Sequence, residues 1–494
     1  MVTDFSPSPR IREIRKAISH PVVDSDGHIL ELLPLVHEIA QELSDLHSAD
    51  AMMEPLCRRS ARVRSASVDD RRSSGIWRGS WWGAPAENTI DRATTTLPRL
   101  FHRRLDQFGI DFEFVFPTLG LLVFLIEDED IRRLMARSFN TYYARMFNEV
   151  LDRVEPAAVI PMHTPEEAVA ELRHAVEVLG LRTVVMTGVV PRRVKGGGVP
   201  GATWVDTVAY GSDYDYDTVW AECERLRVVP TFHGTGMGWG ARSSPVNYVY
   251  NHLGNFSAAN EACCRAIVLG GAAQRFPKLS WSFLEGGVSW AMQLQADLIG
   301  HFEKRNQESI LQYDPRRVEW PLMSKFYTQY RSEGMPATED VFASWTPYLS
   351  DPDDGRPLLD DFADSGLDTT ADIARLFQRF YFGCEPDDRL VPMAFDGRFN
   401  CGGIKSKPMF ASDIGHWDVP DACQVLPELW DTCTRLDVDE GDFESLTFAN
   451  VVDCVTRVNP KFFDRTVIGA PARRVSAEEG QKFGVSDGED RPWR

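Results

Sequence analysis

Short apolar runs alternate with longer amphipathic segments along most of this chain. Eight of the runs end in polar or glycine-rich turns, as buried strands do where they lead into loops. These runs cover residues 20–28, 109–118, 157–164, 182–188, 227–236, 279–287, 379–385 and 407–416. The pattern predicts eight strands with helices between most of them.

The segment 164–180, TPEEAVAELRHAVEVLG, is typical of the intervening helices. Thr164 suits the N-cap, Pro165 the first helical position and Glu167 the capping-box position, while Gly180 can end the helix in the left-handed conformation. The apolar stripe consists of Ala168, Leu172, Val176 and Leu179. Near-continuous apolar strands flank this helix, as in parallel sheets that are buried on both faces. The eight units therefore predict an α/β fold, a (β/α)8 TIM-type barrel.

We predict a single barrel over residues 1–494 with long additions. The irregular spacing of the strands places insertions at about 32–96, 188–217 and 301–372, where a lid over the barrel mouth could be built. Loops of this length are usually functional or disordered. The C-terminal stretch at about 455–494 is predicted to be a closing helix with a surface tail.

Charge and cysteine content exclude several classes of protein. The formal net charge of -20 opposes binding to a phosphate backbone, so we expect no nucleic-acid partner. The 9 cysteines form no C-x-x-C pair, which is typical of a reduced, cytoplasmic protein. The N-terminus carries no apolar signal segment, and the longest strongly apolar run, residues 119–126, is too short to cross a membrane. The chain could assemble as a homo-oligomer.

Four of the predicted strands end in side chains that can bind a metal. Asp26 and His28 end the first strand and, lying two residues apart, face the same side. His233, Glu285 and Asp413 end the fifth, sixth and eighth strands. Each alone has an ordinary explanation, such as a turn for His233 or an arginine partner for Glu285. Because the carboxyl ends of barrel strands meet at one mouth, the five together predict a shared metal site.

Five ordered segments resemble the amidohydrolase-related superfamily of metal-dependent barrels, in particular its decarboxylase-like branch. They read VDSDGHILE, AAVIPMHTPEEAVAELRHAVEVLGLRTVVM, FHGTGMG, AIVLGGAAQRFPKLSWSFLEGGVSW and FASDIGHWD. By this resemblance, Asp26 and His28 replace the family's first-strand H-x-H, and His233 and Asp413 match its strand-five histidine and strand-eight aspartate. Glu285 stands where many members have a histidine. The carbamylated lysine of the binuclear members has no counterpart at the end of RTVVMTG.

These departures from the family pattern change the metal that we expect. Two histidines with three carboxylates make an oxygen-rich ligand set, which favours iron or manganese over zinc. Three carboxylates could also offset the charge of two divalent ions. Glu31 lies three residues beyond His28, and His416 three residues beyond Asp413. Both could complete the coordination of a second metal or could hydrogen-bond to the ligands.

Other polar residues are candidates for contact with a substrate or cofactor. His252, in NYVYNHLGNF, could reach the substrate or could pack within its loop. His163 is a weaker candidate at the end of the third strand, and His301 is expected at the surface. An arginine-rich arm could bind an anion such as the phosphates of coenzyme A, or could be a solvated insertion. Its arginines include Arg58, Arg59, Arg62 and Arg64.

The resemblance leaves three functions open. The favoured one is a nonheme diiron monooxygenase of the platensimycin and platencin diterpenoid type. It would hydroxylate an unactivated carbon of a bulky, terpenoid-like coenzyme A thioester in antibiotic biosynthesis. It would use two iron ions, dioxygen and an external electron donor, with Glu285, His416 and His252 as catalytic residues. The second is a mononuclear zinc or manganese hydrolase or decarboxylase of a small carboxylated substrate. The third is a barrel that has lost catalysis and serves as a binding partner.

Overall fold

The structure is a computed structural model that describes residues 4–80, 86–195, 202–314, 317–336 and 360–482. Its strands are β1 Val23–Ile29, β2 Phe112–Pro117, β3 Val154–Ile160, β4 Thr183–Met186, β5 Val189–Arg193, β6 Thr203–Thr207, β7 Thr231–Phe232, β8 Trp281–Phe283, β9 Phe380–Cys384 and β10 Pro408–Phe410.

Helices follow most of these strands. They are α1 Pro9–Ala17, α2 Leu33–Leu43, α3 Leu46–Ser65, α4 Val68–Ser74, α5 Thr89–Thr96, α6 Pro98–Phe108, α7 Glu129–Phe147, α8 Pro165–Arg173, α9 Asp217–Leu226, α10 Tyr248–His252, α11 Asn255–Leu269, α12 Ala272–Arg275, α13 Ser289–Arg305, α14 Trp320–Tyr330, α15 Thr370–Leu376, α16 Val391–Phe395, α17 Val425–Arg435, α18 Glu440–Glu444, α19 Asn450–Val458 and α20 Gly469–Lys482. Among the described residues, no helix is both long and apolar enough to cross a membrane.

Eight of the strands form a barrel in which neighbours are parallel and follow chain order, β1 to β4 and then β7 to β10. Each of these strands overlaps one of the eight predicted runs. The predicted (β/α)8 TIM-type barrel is therefore confirmed. The remaining strands, β5 and β6, pair as an antiparallel hairpin within the predicted insertion at 188–217.

The barrel closes along a seam between β1 and the segment 410–414, which begins at the end of β10. Two backbone hydrogen bonds cross it, from Asp413 N to Asp26 O at 2.9 Å and from His28 N to Ile414 O at 2.7 Å. A side chain adds a third, because Ser25 Oγ donates to the carbonyl of Phe410 at 2.7 Å. The seam thus holds the first and last barrel strands in register at the mouth.

An aromatic layer fills the space between the barrel and its helices. Phe232, Phe283 and Phe382 on β7, β8 and β9 stack in sequence, with ring centroids 5.4 and 6.0 Å apart. Trp220 of α9 packs on Phe232, and Trp290 of α13 packs on Phe283. Since side chains alternate along a strand, the outward position of Phe232 turns the next residue, His233, towards the barrel axis.

The helix predicted over 164–180 forms as α8 followed by one π-helical turn at His174–Val178. Thr164 caps it by accepting from Glu167 N, as predicted. The Glu167 side chain does not complete a capping box, however. Its two oxygens instead accept from Arg132 of α7 at 2.8 Å each, an ion pair in which both side chains are almost fully buried.

The C-terminal region contains a helix, α20, and residues 483–494 of the predicted tail lie outside the described part of the chain. Phe462 and Phe463 are buried and pack against Phe112 and Phe114 of β2, with ring centroids 5.5 to 6.3 Å apart. Apolar residues this far along the chain therefore belong to the core of the barrel.

Replacing Arg132 with Met should destabilise the protein by about 3 to 5 kcal/mol, because it leaves the Glu167 carboxylate buried and uncompensated. Arg133→Met is the matched control, since Arg133 pairs with Glu129 at the surface of the same helix. Its expected cost is below about 1 kcal/mol. Urea unfolding followed by circular dichroism measures both, and equal losses would show that burial of the pair does not matter.

Candidate metal centre

The structure brings together the five residues predicted from the strand ends. Asp26 and His28 lie on β1, and His233, Glu285 and Asp413 follow β7, β8 and β10. All five are buried. Because the carboxyl ends of parallel barrel strands meet at one mouth, residues up to 387 positions apart in the sequence become neighbours.

The polar atoms of this cluster approach within contact distance. His28 Nε2 lies 3.2 Å from Asp413 Oδ1 and 3.5 Å from Asp26 Oδ1. His233 Nε2 lies 2.9 Å from Glu285 Oε2. Two overlapping groups could each hold an ion, with ligand atoms within 4.8 Å of one another. One group contains Asp26, His28 and His233, and the other contains His28, Glu285, Asp413 and His416.

Most of these atoms lack a hydrogen-bond partner within the described part of the chain. The unpartnered atoms are Asp26 Oδ1 and Oδ2, His28 Nε2, His233 Nε2, Glu285 Oε2, and Asp413 Oδ1 and Oδ2. Buried polar atoms are rarely left unsatisfied in folded proteins. Their proximity without hydrogen-bond geometry is the arrangement expected of donors that face one shared cation, so the cluster fits a metal ion.

Burial also governs the charges of the cluster. It raises the pKa of Asp26 and Glu285 well above the usual range for a carboxyl group, and the Asp413 pKa rises for the same reason and through the nearby Glu285 carboxylate. Burial lowers the pKa of His28 and of His233. A neutral imidazole is the form that binds metal, and a bound cation would favour the ionised carboxylates.

Two residues of the cluster adopt a left-handed backbone conformation. The φ angles are 56° at Glu285 and 55° at Asp413. Regular alternation from Phe283, which faces α13, would point Glu285 away from the mouth. The left-handed turn redirects that side chain. Such conformations are costly for residues other than glycine and tend to occur at functional sites.

His416 lies beside the cluster. Its ring stacks on His28 with centroids 3.7 Å apart, and its Nδ1 lies 2.6 Å from Asp413 Oδ1. Its Nε2 lies 3.2 Å from Thr118 Oγ1. Burial lowers the His416 pKa to about 4, so this imidazole is neutral near pH 7. These contacts place His416 where it can exchange a proton with Asp413.

Glu31 is not brought into the cluster. Its carboxylate accepts hydrogen bonds from Leu119 N and Gly120 N, both at 2.9 Å, and from the Tyr143 hydroxyl at 2.7 Å. All of these partners belong to the loop after β2 and to α7. Glu31 therefore anchors that loop, and the predicted role in a second metal site does not fit its position.

His252 ends α10 and packs against Phe256 and Trp417, with ring centroids 5.6 and 5.8 Å away. Phe256 in turn contacts the ring of His233 at 5.4 Å. His252 is thus one aromatic ring away from the cluster. It is not among the groups of described residues that could hold a metal.

The other predicted candidates lie elsewhere. His163 is mostly buried, and burial with Arg132 nearby lowers its pKa to about 3. His301 is exposed on α13, as predicted. The predicted coenzyme A contacts fall outside the side chains that the structure describes. They are Arg58, Arg59, Arg62 and Arg64.

The strand-end reasoning missed Glu385, which follows the seventh barrel strand, β9. Backbone hydrogen bonds from Gly287 N to Gly383 O and from Ala411 N to Cys384 O, both 3.0 Å, flank it. Glu385 therefore lies between the segments that carry Glu285 and Asp413. Burial and the Glu285 carboxylate raise its pKa well above the usual range. Its place at a strand end was a signal available in the sequence.

Asp24 lies two residues before Asp26 on β1. It is fully buried and its Oδ1 accepts from Ser412 N at 2.9 Å. A β-bulge between Asp24 and Gly27 interrupts the simple alternation. The neighbouring carboxyl of Glu113 on β2 is also fully buried, and burial raises its pKa well above the usual range.

Together, the barrel and the buried carboxylate and histidine cluster at its strand ends define a TIM barrel with a candidate metal centre. Residues 99–322 match the sequence model of the family described as Amidohydrolase, which is somewhat under half of the 494 residues. This match supports the predicted resemblance to the amidohydrolases. No curated protein matches the chain in sequence.

Solved structures are similar to this chain over most of its length. An amidohydrolase from Mycobacterium avium subsp. paratuberculosis K-10 is 16% identical, with a TM-score of 0.51 over 89% of this chain and 98% of that one. A manganese complex of 5-carboxyvanillate decarboxylase from Novosphingobium aromaticivorans DSM 12444 is 12% identical, with a TM-score of 0.49 over 92% and 99%. A 2,6-dihydroxybenzoate decarboxylase from Rhizobium is 13% identical, with a TM-score of 0.45 over 89% of this chain and 99% of that one. At these identities the likeness is one of fold alone.

The predicted diiron monooxygenase is wrong. The family whose sequence model matches residues 99–322 is described as Amidohydrolase, and this corresponds to the second function considered from the sequence. The predicted oxidoreductase activity and role in antibiotic biosynthesis depended on the monooxygenase and are not supported either. A pair of iron ions is likewise not supported. The reason is chemical, because an oxygen-rich ligand set suits several metals and does not by itself specify redox chemistry.

Glu285→Gly should be more stable than Glu285→Ala by about 1 kcal/mol, because both remove the carboxylate but only glycine relieves the left-handed strain. Ala291→Gly in α13 is the control and should lose about 1 kcal/mol, since glycine weakens a regular helix. Thermal or urea unfolding gives the comparison. Equal stability of the two Glu285 variants would show that the left-handed backbone at this position is not strained.

Proposed function

We propose that this protein is a metal-dependent enzyme of the amidohydrolase type that hydrolyses or decarboxylates a small carboxylated substrate. One divalent ion, manganese or zinc, would be held by Asp26, His28, His233 and Asp413. The convergence of their buried, unpartnered donor atoms is the observation that carries the proposal. The match of residues 99–322 to the amidohydrolase family supports the same class.

The choice among the clustered residues follows from their contacts. Asp26 and Asp413 each have both carboxylate oxygens without a hydrogen-bond donor in the described structure, and each places Oδ1 within 3.5 Å of His28 Nε2. His416 has Thr118 within hydrogen-bond distance of one nitrogen and Asp413 beside the other. His416 therefore suits a role next to the ligands and not among them.

When bound, the ion would act as a Lewis acid that polarises the substrate or activates water. His416 is placed to hold or pass on a proton at Nδ1, next to Asp413 Oδ1. Phe256 covers His233 and helps to exclude water on that side of the mouth. Glu285, whose Oε2 lies 2.9 Å from His233 Nε2, is the further candidate for proton transfer.

Electrostatics makes substrate binding depend on the ion. Asp26, Glu285, Asp413 and Glu385 concentrate carboxyl groups at the mouth, and these would repel a carboxylated substrate. A divalent ion offsets this charge and offers a ligand position to the substrate carboxylate. Metal removal should therefore abolish binding as well as turnover.

The purified protein should contain about one equivalent of manganese or zinc when both metals and iron are supplied during expression. His233→Ala should lose this metal, because one of the four ligands is gone. Glu31→Gln is the matched control, since it changes a buried glutamate that contacts the loop and not the cluster, and it should keep full occupancy. Elemental analysis after dialysis measures all three proteins. Full metal content in His233→Ala, or none in the wild type, would contradict the proposed site.

The reaction type can be tested with metal-loaded and metal-free enzyme on a panel of carboxylic acids, amides and lactones, with 2,6-dihydroxybenzoate included. Carbon dioxide release indicates decarboxylation, and label from H2¹⁸O in the product indicates hydrolysis. Asp413→Asn should reduce either activity by at least about 100-fold, because it weakens both the metal site and the contact with His416. Label incorporated from ¹⁸O2 would overturn the proposal.

A further inference from the structure

The carboxylate of Asp24 connects the two sides of the barrel seam. Its Oδ1 accepts from Asp26 N at 3.1 Å, on its own strand, and from Ser412 N at 2.9 Å, on the opposite side. One donor is the amide of Asp26 itself. The other donor, Ser412, is the residue immediately before Asp413. The carboxylate therefore serves as the acceptor for one amide on each side of the seam, next to the bulge in β1.

Glu113 holds Asp24 from the neighbouring strand. The two residues are register partners on β1 and β2, and both are fully buried. Asp24 Oδ2 and both Glu113 oxygens have no hydrogen-bond donor among the described residues. The two carboxyl groups therefore lie together in the barrel interior as one buried unit.

Gly27 makes room for this unit. A Cβ atom at this position would lie 1.9 Å from Glu113 Oε1, which no side chain could tolerate without displacing the carboxyl group. The bulge, the glycine and the two acids therefore belong to one local arrangement. It lies directly below Asp26 and His28 on the same strand.

We propose that Asp24, held by Glu113, is a positioning residue that fixes Asp26 and Asp413 in the geometry needed to bind the metal ion. The inference rests on the proposed function, because the metal ion comes from there. The part of it that says Asp24 anchors the two sides of the seam does not depend on the metal. An apolar side chain at position 24 could fill the same space. It could not accept from amides on both sides of the seam, so the two ligand-bearing segments would lose their common anchor.

The test compares paired variants of the full chain. Asp24→Ala and Glu113→Ala remove the unit, whereas Asp24→Asn and Glu113→Gln keep an acceptor or donor at the same place. Hydrogen exchange of the metal-free proteins, read by mass spectrometry on peptides covering 22–30 and 408–416, reports on the seam. Titration with Mn²⁺ reports on the site, and circular dichroism confirms folding.

We expect both alanine variants to exchange faster at the two seam peptides and to bind Mn²⁺ about 10- to 100-fold more weakly. The amide variants should recover most of both properties. Glu155→Ala is the control, since Glu155 is an equally buried carboxylate on β3, away from the seam, with Arg182 as its partner. It should lower stability without changing seam exchange or Mn²⁺ affinity.

Unchanged seam exchange in a folded alanine variant would overturn the inference whatever the metal does. Faster exchange with unchanged Mn²⁺ affinity would also overturn it, because the seam would then not position the ligands. If Asp24→Ala fails to fold, Glu113→Ala and the two amide variants decide the same question. A wild-type protein with a protected seam that binds neither Mn²⁺ nor Zn²⁺ would instead refute the proposed function, and with it the ligand-positioning role.

Discussion

Closure of the barrel is the constraint on which the rest of the structure depends. The first and last barrel strands meet through a short set of hydrogen bonds between β1 and the segment 410–414. Three of the proposed metal ligands, Asp26, His28 and Asp413, lie on the two sides of this seam. The backbone bonds that close the barrel therefore also set the distances between ligands. A fold that closed with a different register would place these side chains on the wrong side of the wall.

The charge balance at the mouth explains why the cluster needs a cation. Several carboxyl groups are buried where water cannot solvate them, and many of their atoms have no donor in the described structure. Burial disfavours their ionised form and so raises the pKa of Asp26 and of Asp413. A divalent ion changes this balance, because its positive charge stabilises the ionised carboxylates. The left-handed backbone at Glu285 adds strain that a folded core of this size can hold.

The errors made from the sequence have physical causes. Three-residue spacing from His28 suggested that Glu31 could reach the metal, but the strand ends and the side chain turns towards Tyr143 and the loop after β2. The carboxylate-rich ligand set suggested diiron chemistry, although such donors suit manganese as well. In both cases the residue types were identified correctly. Sequence spacing does not specify the distance between a side chain and the metal site, and the type of ligand does not specify the metal. Glu385 was missed for another reason, because the end of the seventh strand was not considered.

The sequence by itself determined the barrel and most of the candidate site. Eight apolar runs and their intervening helices predicted the parallel strands, because local hydrophobic pattern and helix caps act over a few residues. Since the ends of such strands must converge, residues such as His233 and Asp413 could be assigned to one mouth. Only the tertiary structure decided that Asp24 bridges the seam to Ser412 and contacts Glu113. These contacts join distant parts of the chain across ångström distances, and packing of the whole barrel sets such distances, which no local pattern encodes.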